Sequence, residues 1–204
     1  RRRRRGAEAL FPSALAGQPI PLLGRDDELA RLLTASSEPD LNLALVGPAG
    51  VGKSRLAGEV IAALGRDPSH GGRVAAVRIR RHGDGRGVGV LLDVVRALAG
   101  VKLDDRPRDV RLKLEYLFNT LVYDDRYAPS AGEEQARDAI EWALEDPNTA
   151  TPRLGEQLRE CLEAIARRGG LLVVIEDADL LDAEADLCLL ALRRVRQMRV
   201  QRVP

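Results

Sequence analysis

The chain has 204 residues, 45% hydrophobic and 31% charged, with a net charge of +1, a balance that excludes a disordered or collagen-like polypeptide. That length accommodates one domain with a small appendage and buries a core without disulfides or metals. Cys161 and Cys188 stand far apart without a Cys-x-x-Cys or a matching histidine pair, which argues against a disulfide scaffold or zinc module and for a reducing, cytoplasmic setting.

No apolar run approaches the roughly 20 residues that span a bilayer and no signal peptide heads the chain, so a soluble protein without membrane contact is expected. Of 32 basic residues, 29 are arginine, which with abundant Ala, Leu and Gly suggests a GC-rich bacterial source. Met198 is the single methionine, so the sequence reads as a piece of a longer protein.

Residues 1–21 read as a linker, with five arginines followed by a Pro/Gly-punctuated, extended stretch. Asp26 or Asp27 is placed to cap a short helix with Leu29, Leu32 and Leu33 on its apolar face. Residues 41–46 form a short apolar run, expected as a buried parallel strand, and 53–64 show helical periodicity through Leu56, Val60, Ile61 and Leu64. A second strand is predicted at 73–80 on the alternation of Ala75, Val77 and Ile79.

Helices are predicted at 90–98, 110–121 and 133–144, with polar connectors at 123–132 and 146–152. A cleaner amphipathic helix at 154–168 ends at Gly169-Gly170; a third strand follows at 171–175 and a last helix at 183–198. The alternation predicts an α/β fold of the P-loop NTPase type, a three-layer parallel sheet flanked by helices. A helical insertion at about 90–150 separates its second and third sequential strands. That insertion reads either as a sensing or partner face or as filler.

The strongest chemical signal is Gly47-Pro48-Ala49-Gly50-Val51-Gly52-Lys53-Ser54, which satisfies G-x-x-x-x-G-K-[ST] between a predicted strand and a predicted helix. Glycines there let successive N–H groups converge on phosphates, and the helix start adds its positive dipole end. Lys53 is expected to reach the β and γ phosphates and Ser54 to ligate Mg²⁺; Arg55 extends the candidate nucleotide-binding set. A second signal is the apolar strand ending in Glu176-Asp177, the form of a Walker B motif. Strand alternation would send the two acids to opposite faces, Glu176 to the metal shell and Asp177 to the attacking water. The plainer alternative is two acids that end a strand and cap the next helix. Asp177 is one methylene shorter than Glu, so slow hydrolysis is expected.

A third segment, Leu23-Gly24-Arg25-Asp26-Asp27-Glu28-Leu29, precedes the glycine loop. With Gly-Pro-Ala-Gly-Val-Gly-Lys-Ser-Arg-Leu and Leu-Val-Val-Ile-Glu-Asp-Ala-Asp-Leu-Leu-Asp, it resembles AAA-type ATPase domains of the STAND class. These occur in large LuxR-type and kinase- or cyclase-fused regulators; the origin-recognition branch of AAA+ proteins is similar. The resemblance covers roughly residues 22–200. It implies an ATP- and Mg²⁺-dependent conformational switch, with Leu23, Gly24 and Arg25 against the adenine and protein partners or self-association through further domains. ATP is favoured over GTP by the resemblance and by the lack of an Asn-Lys-x-Asp signature.

Two departures stand out. Ala178-Asp179-Leu180-Leu181-Asp182 lacks the His and Trp common at that place in the class, and the sequence stops near 199–203, where the next strand is expected. The sensor, arginine-finger and lid regions that the resemblance implies are therefore expected to be missing from a core at 22–204.

Two other readings stay open: an AAA+ machine acting on DNA, and a nucleotide-binding module with vestigial hydrolysis. Only arginine-rich ends speak for nucleic acid: residues 1–5 and a predicted basic helix carrying Arg193, Arg194, Arg196 and Arg199, both readable as solvated surface. The glycine-rich stretch at 83–89 lacks a lysine and reads as a loop; His70 and His82 support no metal site.

Overall fold

The computed structural model describes residues 14–15, 18–19, 21–36, 38, 42–66, 73–79, 87–102, 104–122, 131–145, 152–192 and 195–202. The predicted basic run at 1–5, the connectors around 123–130 and 146–151, most of the loop at 83–86, His70, His82, Arg193 and Arg194 lie outside the described residues.

Two short strands, β1 (Ala14–Leu15) and β2 (Gln18–Pro19), pair antiparallel, a local hairpin inside the stretch expected to be a linker. Helix α1 (Asp26–Ala35) follows. Arg25, not an aspartate, occupies its N-cap, and Asp26, Asp27 and Glu28 fill the first turn, where they face the positive end of the helix dipole.

The main sheet has four parallel strands: β3 (Asn42–Gly47), β4 (Arg73–Arg78), β5 (Leu171–Glu176) and β6 (Val195–Arg202), in the order β3-β6-β5-β4. Helix α2 (Lys53–Arg66) links β3 to β4. Between β4 and β5 lie α3 (Gly89–Ala99), α4 (Pro107–Leu117), which runs into a π-turn at Phe118–Val122, α5 (Ala131–Glu145) and α6 (Pro152–Gly169). Helix α7 (Ala183–Leu190) joins β5 to β6. The predicted α/β fold with a helical insertion between the second and third strands of the sheet is therefore present.

Two apolar layers sandwich the sheet. On one face Leu32 of α1 and Leu56, Ala57 and Val60 of α2 meet Ala76, Leu172, Val174, Met198 and Val200. On the other, Val90, Leu91 and Val94 of α3 join Leu114, Ile140, Leu158 and Leu162 against Ala75, Val77, Val173 and Ile175. Every residue of β5 is buried, as expected of an interior parallel strand with helices on both faces.

The C-terminal prediction is corrected. Helix α7 stops at Leu190, and Val195–Arg202 forms a strand where 183–198 was expected to be one helix and the next strand was expected only near 199. The apolar spacing Leu189, Leu192, Val195 mimics a helical face across a turn that carries no Gly or Pro. Inside the sheet, the polar side chains of β6 find local partners, although Arg199 Nε is buried without one. Gln197 Nε2 donates to Leu189 O at 2.6 Å, Arg199 pairs with Asp186, and Arg196 donates to Ser36 O. Arg196 and Arg199 are thus parts of an interior strand and not of a basic helical surface.

Candidate nucleotide-binding site

The site begins where β3 runs out. Gly47 ends the strand, Pro48 to Val51 form an exposed turn, and α2 starts at Lys53. Gly50 and Gly52 have φ of 82° and 86°, a region costly to side-chain-bearing residues, so the turn requires glycine at both. Lys53 folds back beneath it: Nζ donates to Gly47 O at 2.8 Å and to Pro48 O at 2.7 Å. Leu56 N donates to Gly52 O at 2.9 Å, the bond that fixes the first turn of α2. Ser54 follows Lys53, half-buried in that turn.

Charge distinguishes this helix start from that of α1. The first turn of α1 carries three acids, whereas that of α2 carries none and opens with the Lys53 cation. An exposed loop with two left-handed glycines, a lysine and an acid-free helix N-terminus is the donor set a polyphosphate needs. These residues fit a nucleotide's phosphates.

The upstream segment is tied to the loop through one residue. Arg25 Nη1 lies 3.9 Å from the point where a Cβ on Gly52 would stand, and its Nε is 3.6 Å from Glu28. Leu23 is 80% exposed and Gly24 has φ of 69°. Arg55 turns along α2 to pair with Glu59 at 2.6 Å.

Glu176 ends β5 at the same level as Val200 and Leu45, so acids and glycine loop share the C-terminal edge of the sheet. One strand, β6, separates β5 from β3, a span of about 10 Å at the usual strand spacing. The C-terminal ends of parallel strands are where open α/β sheets take ligands.

The two acids are not arranged as simple alternation predicts. Glu176 is buried inside the strand, while Asp177 has left it with φ of 55°, the one non-glycine residue with positive φ among the described residues. Asp tolerates this conformation better than most residues do. Both carboxylates reach one cation, Arg78 at the end of β4. Its Nε donates to Glu176 Oε2 at 2.9 Å, its Nη2 donates to the same oxygen, and Asp177 Oδ2 is 3.9 Å from Nε. Register explains the meeting, since Arg78 and Glu176 are Cα partners on adjacent strands.

Sequence reasoning missed Arg78, because one arginine ending a strand carries no signal in a chain with 29 of them. Among the described residues no three His, Cys, Asp or Glu side chains form a group that could hold a metal by themselves. No described helix is long and apolar enough to cross a membrane.

No curated protein matches the chain. A family model described as an AAA ATPase domain matches residues 21–203, a span that contains the glycine loop, the acid-ended strand and all four strands of the main sheet. The chain belongs to the AAA ATPase domain family, a family of nucleotide-binding ATPase modules.

Proposed function

We propose that residues 22–204, behind a linker at 1–21, form the nucleotide-binding core of a STAND-type regulatory ATPase that takes ATP with Mg²⁺ as a conformational switch. The observation that carries this reading is the glycine loop: two left-handed glycines and Lys53 at the acid-free N-terminus of α2. In this reading the backbone N–H groups from Pro48 to Ser54 receive the phosphates, and Lys53 exchanges its two carbonyl partners for phosphate oxygens. Arg25, beside Gly52, adds a second cation at the loop, while Leu23 and Gly24 border the base.

Ser54 and Glu176 would hold Mg²⁺, which when bound supplies charge neutralisation to the phosphates. Asp177 orients water, and its short side chain, shared with Arg78, supports slow turnover. Binding then biases a two-state arrangement of this domain and its neighbours, with hydrolysis as the reset. The engagement of Arg196 and Arg199 within the fold removes two of the arginines on which a DNA-acting reading would rest.

A melting curve with Mg·ATP, Mg·ADP and Mg·GTP tests the proposal. Ligand at about 100 times its dissociation constant adds roughly 2.7 kcal/mol, a rise of about 5–11 °C for a chain of this size. A rise with adenine nucleotides alone supports the reading; no rise with any of the three overturns it.

A further inference from the structure

We propose that the outer faces of α4 and α5 form a self-complementary docking surface for a second copy of this chain, with α4 of each copy lying on α5 of the other. The surface belongs to the helical insertion and goes beyond the nucleotide-site reading. Each helix already serves the core with one face: Val110, Leu114 and Leu117 of α4 and Ile140, Ala143 and Leu144 of α5 are buried. Their other faces carry apolar side chains that the core does not use. Leu112 is 53% exposed, Tyr116 one turn further on is 70% exposed, and Trp142 is 69% exposed. The chain has one Trp and three Tyr, and it places Trp142 and Tyr116 in water. Such side chains dominate the buried centres of protein interfaces.

One contact sets the row together. Arg111 Nε and Glu141 Oε2 stand 3.9 Å apart and join α4 to α5, so their chain neighbours Leu112 and Trp142 lie at one level of the two-helix layer. Charge then selects the occupant. The apolar row of α4 is led by exposed Arg106, Arg108 and Arg111, with Asp109 and Glu115 as the helix's acids. The described charged side chains of α5 are Glu134, Asp138 and Glu141 against Arg137 alone, and Glu134 and Asp138 are exposed. An acid-edged Trp142 fits an apolar row led by basic residues, and α4 of a second copy provides one. A two-fold axis makes that contact twice. The other two-fold arrangement, each helix on its own counterpart, sets the acids of α5 against each other. A net charge of +1 leaves little long-range repulsion between copies. A face two helices wide is at the small end of specific interfaces, so association at micromolar or higher concentration is expected.

Sedimentation equilibrium from micromolar to near-millimolar protein, with Trp142 emission recorded over the same series, tests the surface. Trp142 is the only tryptophan, so the emission reports this face. A monomer–dimer equilibrium is expected, with emission moving to shorter wavelength as dimer forms. Leu112→Asp, at an exposed position, should melt like dilute wild type and stay monomeric. Arg108→Glu and Asp138→Arg should each weaken self-association about tenfold, because each reversal is met twice across the axis. An equimolar mixture of those two variants should restore it. A monomer throughout, a dimer with unchanged emission, a Leu112→Asp dimer, or a mixture no tighter than its components overturns the proposal. An emission shift on phosphatidylcholine vesicles by a protein that stays monomeric without them would assign the face to a membrane and overturns it too. None of these readouts involves nucleotide, so failure of the nucleotide-site reading leaves the test intact.

Discussion

Arg78 places two guanidinium nitrogens on one oxygen of Glu176, from adjacent parallel strands and at the same register level. The pair closes the C-terminal end of the β4–β5 ladder, which continues one bond further through Ile79 N to Glu176 O at 3.0 Å. Its two halves are unequally buried, with side-chain exposures of 40% for Arg78 and 6% for Glu176.

That inequality predicts asymmetric costs. Arg78→Met strands a buried carboxylate and should destabilise the fold by about 3 kcal/mol. Glu176→Gln leaves a guanidinium that can turn to water, and about 1 kcal/mol is expected. Urea unfolding of the two variants checks the order. Equal losses would show that burial of Glu176 does not govern the pair.

Lys53→Ala should erase the nucleotide-dependent rise in melting temperature while changing intrinsic stability by less than about 1 kcal/mol, because its two acceptors belong to an accessible loop. A retained rise in calorimetric scans would move phosphate binding away from the glycine loop.

Gly50→Ala probes the loop backbone. No atom lies within 4 Å of the new methyl group, so the cost is that of placing alanine at φ 82°, about 1–2 kcal/mol. The same substitution should weaken nucleotide binding, because relaxation of φ turns a loop N–H away. Full stability and affinity in unfolding and fluorescent-nucleotide titrations would show that the turn is adaptable.

Asp177→Asn is matched to its backbone, since asparagine accepts positive φ readily. The variant should fold and bind nucleotide like wild type but lose turnover in a phosphate-release assay. Unchanged turnover would shift the water-orienting role to Glu176.

Burial pushes the Cys161 thiol up to about 12 from an ordinary 9.0. The native state therefore keeps the thiol protonated while the unfolded chain ionises it. Its contribution to stability is complete below about pH 9 and is lost as pH climbs toward 12. Between pH 8 and 10 wild type should lose about 1.4 kcal/mol more than Cys161→Ala, read from urea midpoints. Equal losses would mean that Cys161 does not titrate differently in the two states.

Much of the site was legible because its chemistry is local. The loop from Gly47 to Ser54 is contiguous, and its φ requirements at Gly50 and Gly52 fall on glycines. β5 was legible as an unbroken apolar run. β6 was not, because Gln197, Arg199 and Arg196 become compatible with an interior strand only through partners on α7 and at Ser36. Arg78 was hidden for a related reason. Its partner lies 98 residues later, and only the β4–β5 register brings them together. Asp177 was assigned by strand alternation, which stops one residue before it.

The placement of β6 also dictates a schedule for synthesis. Among the described residues, β3 finds its sheet partner only in β6, with Asn42 opposite Gln197 and Gly47 opposite Arg202. As the ribosome delivers the chain from its N-terminus, the strand that leads into the glycine loop must wait about 150 residues for the segment that inserts beside it. At roughly 5–20 residues per second that wait lasts on the order of ten seconds, during which the ladder edge of β3 is open to other chains. Closure of the sheet is therefore a late event, and a nascent chain released before residue 195 would carry the loop sequence without the strand that seats it.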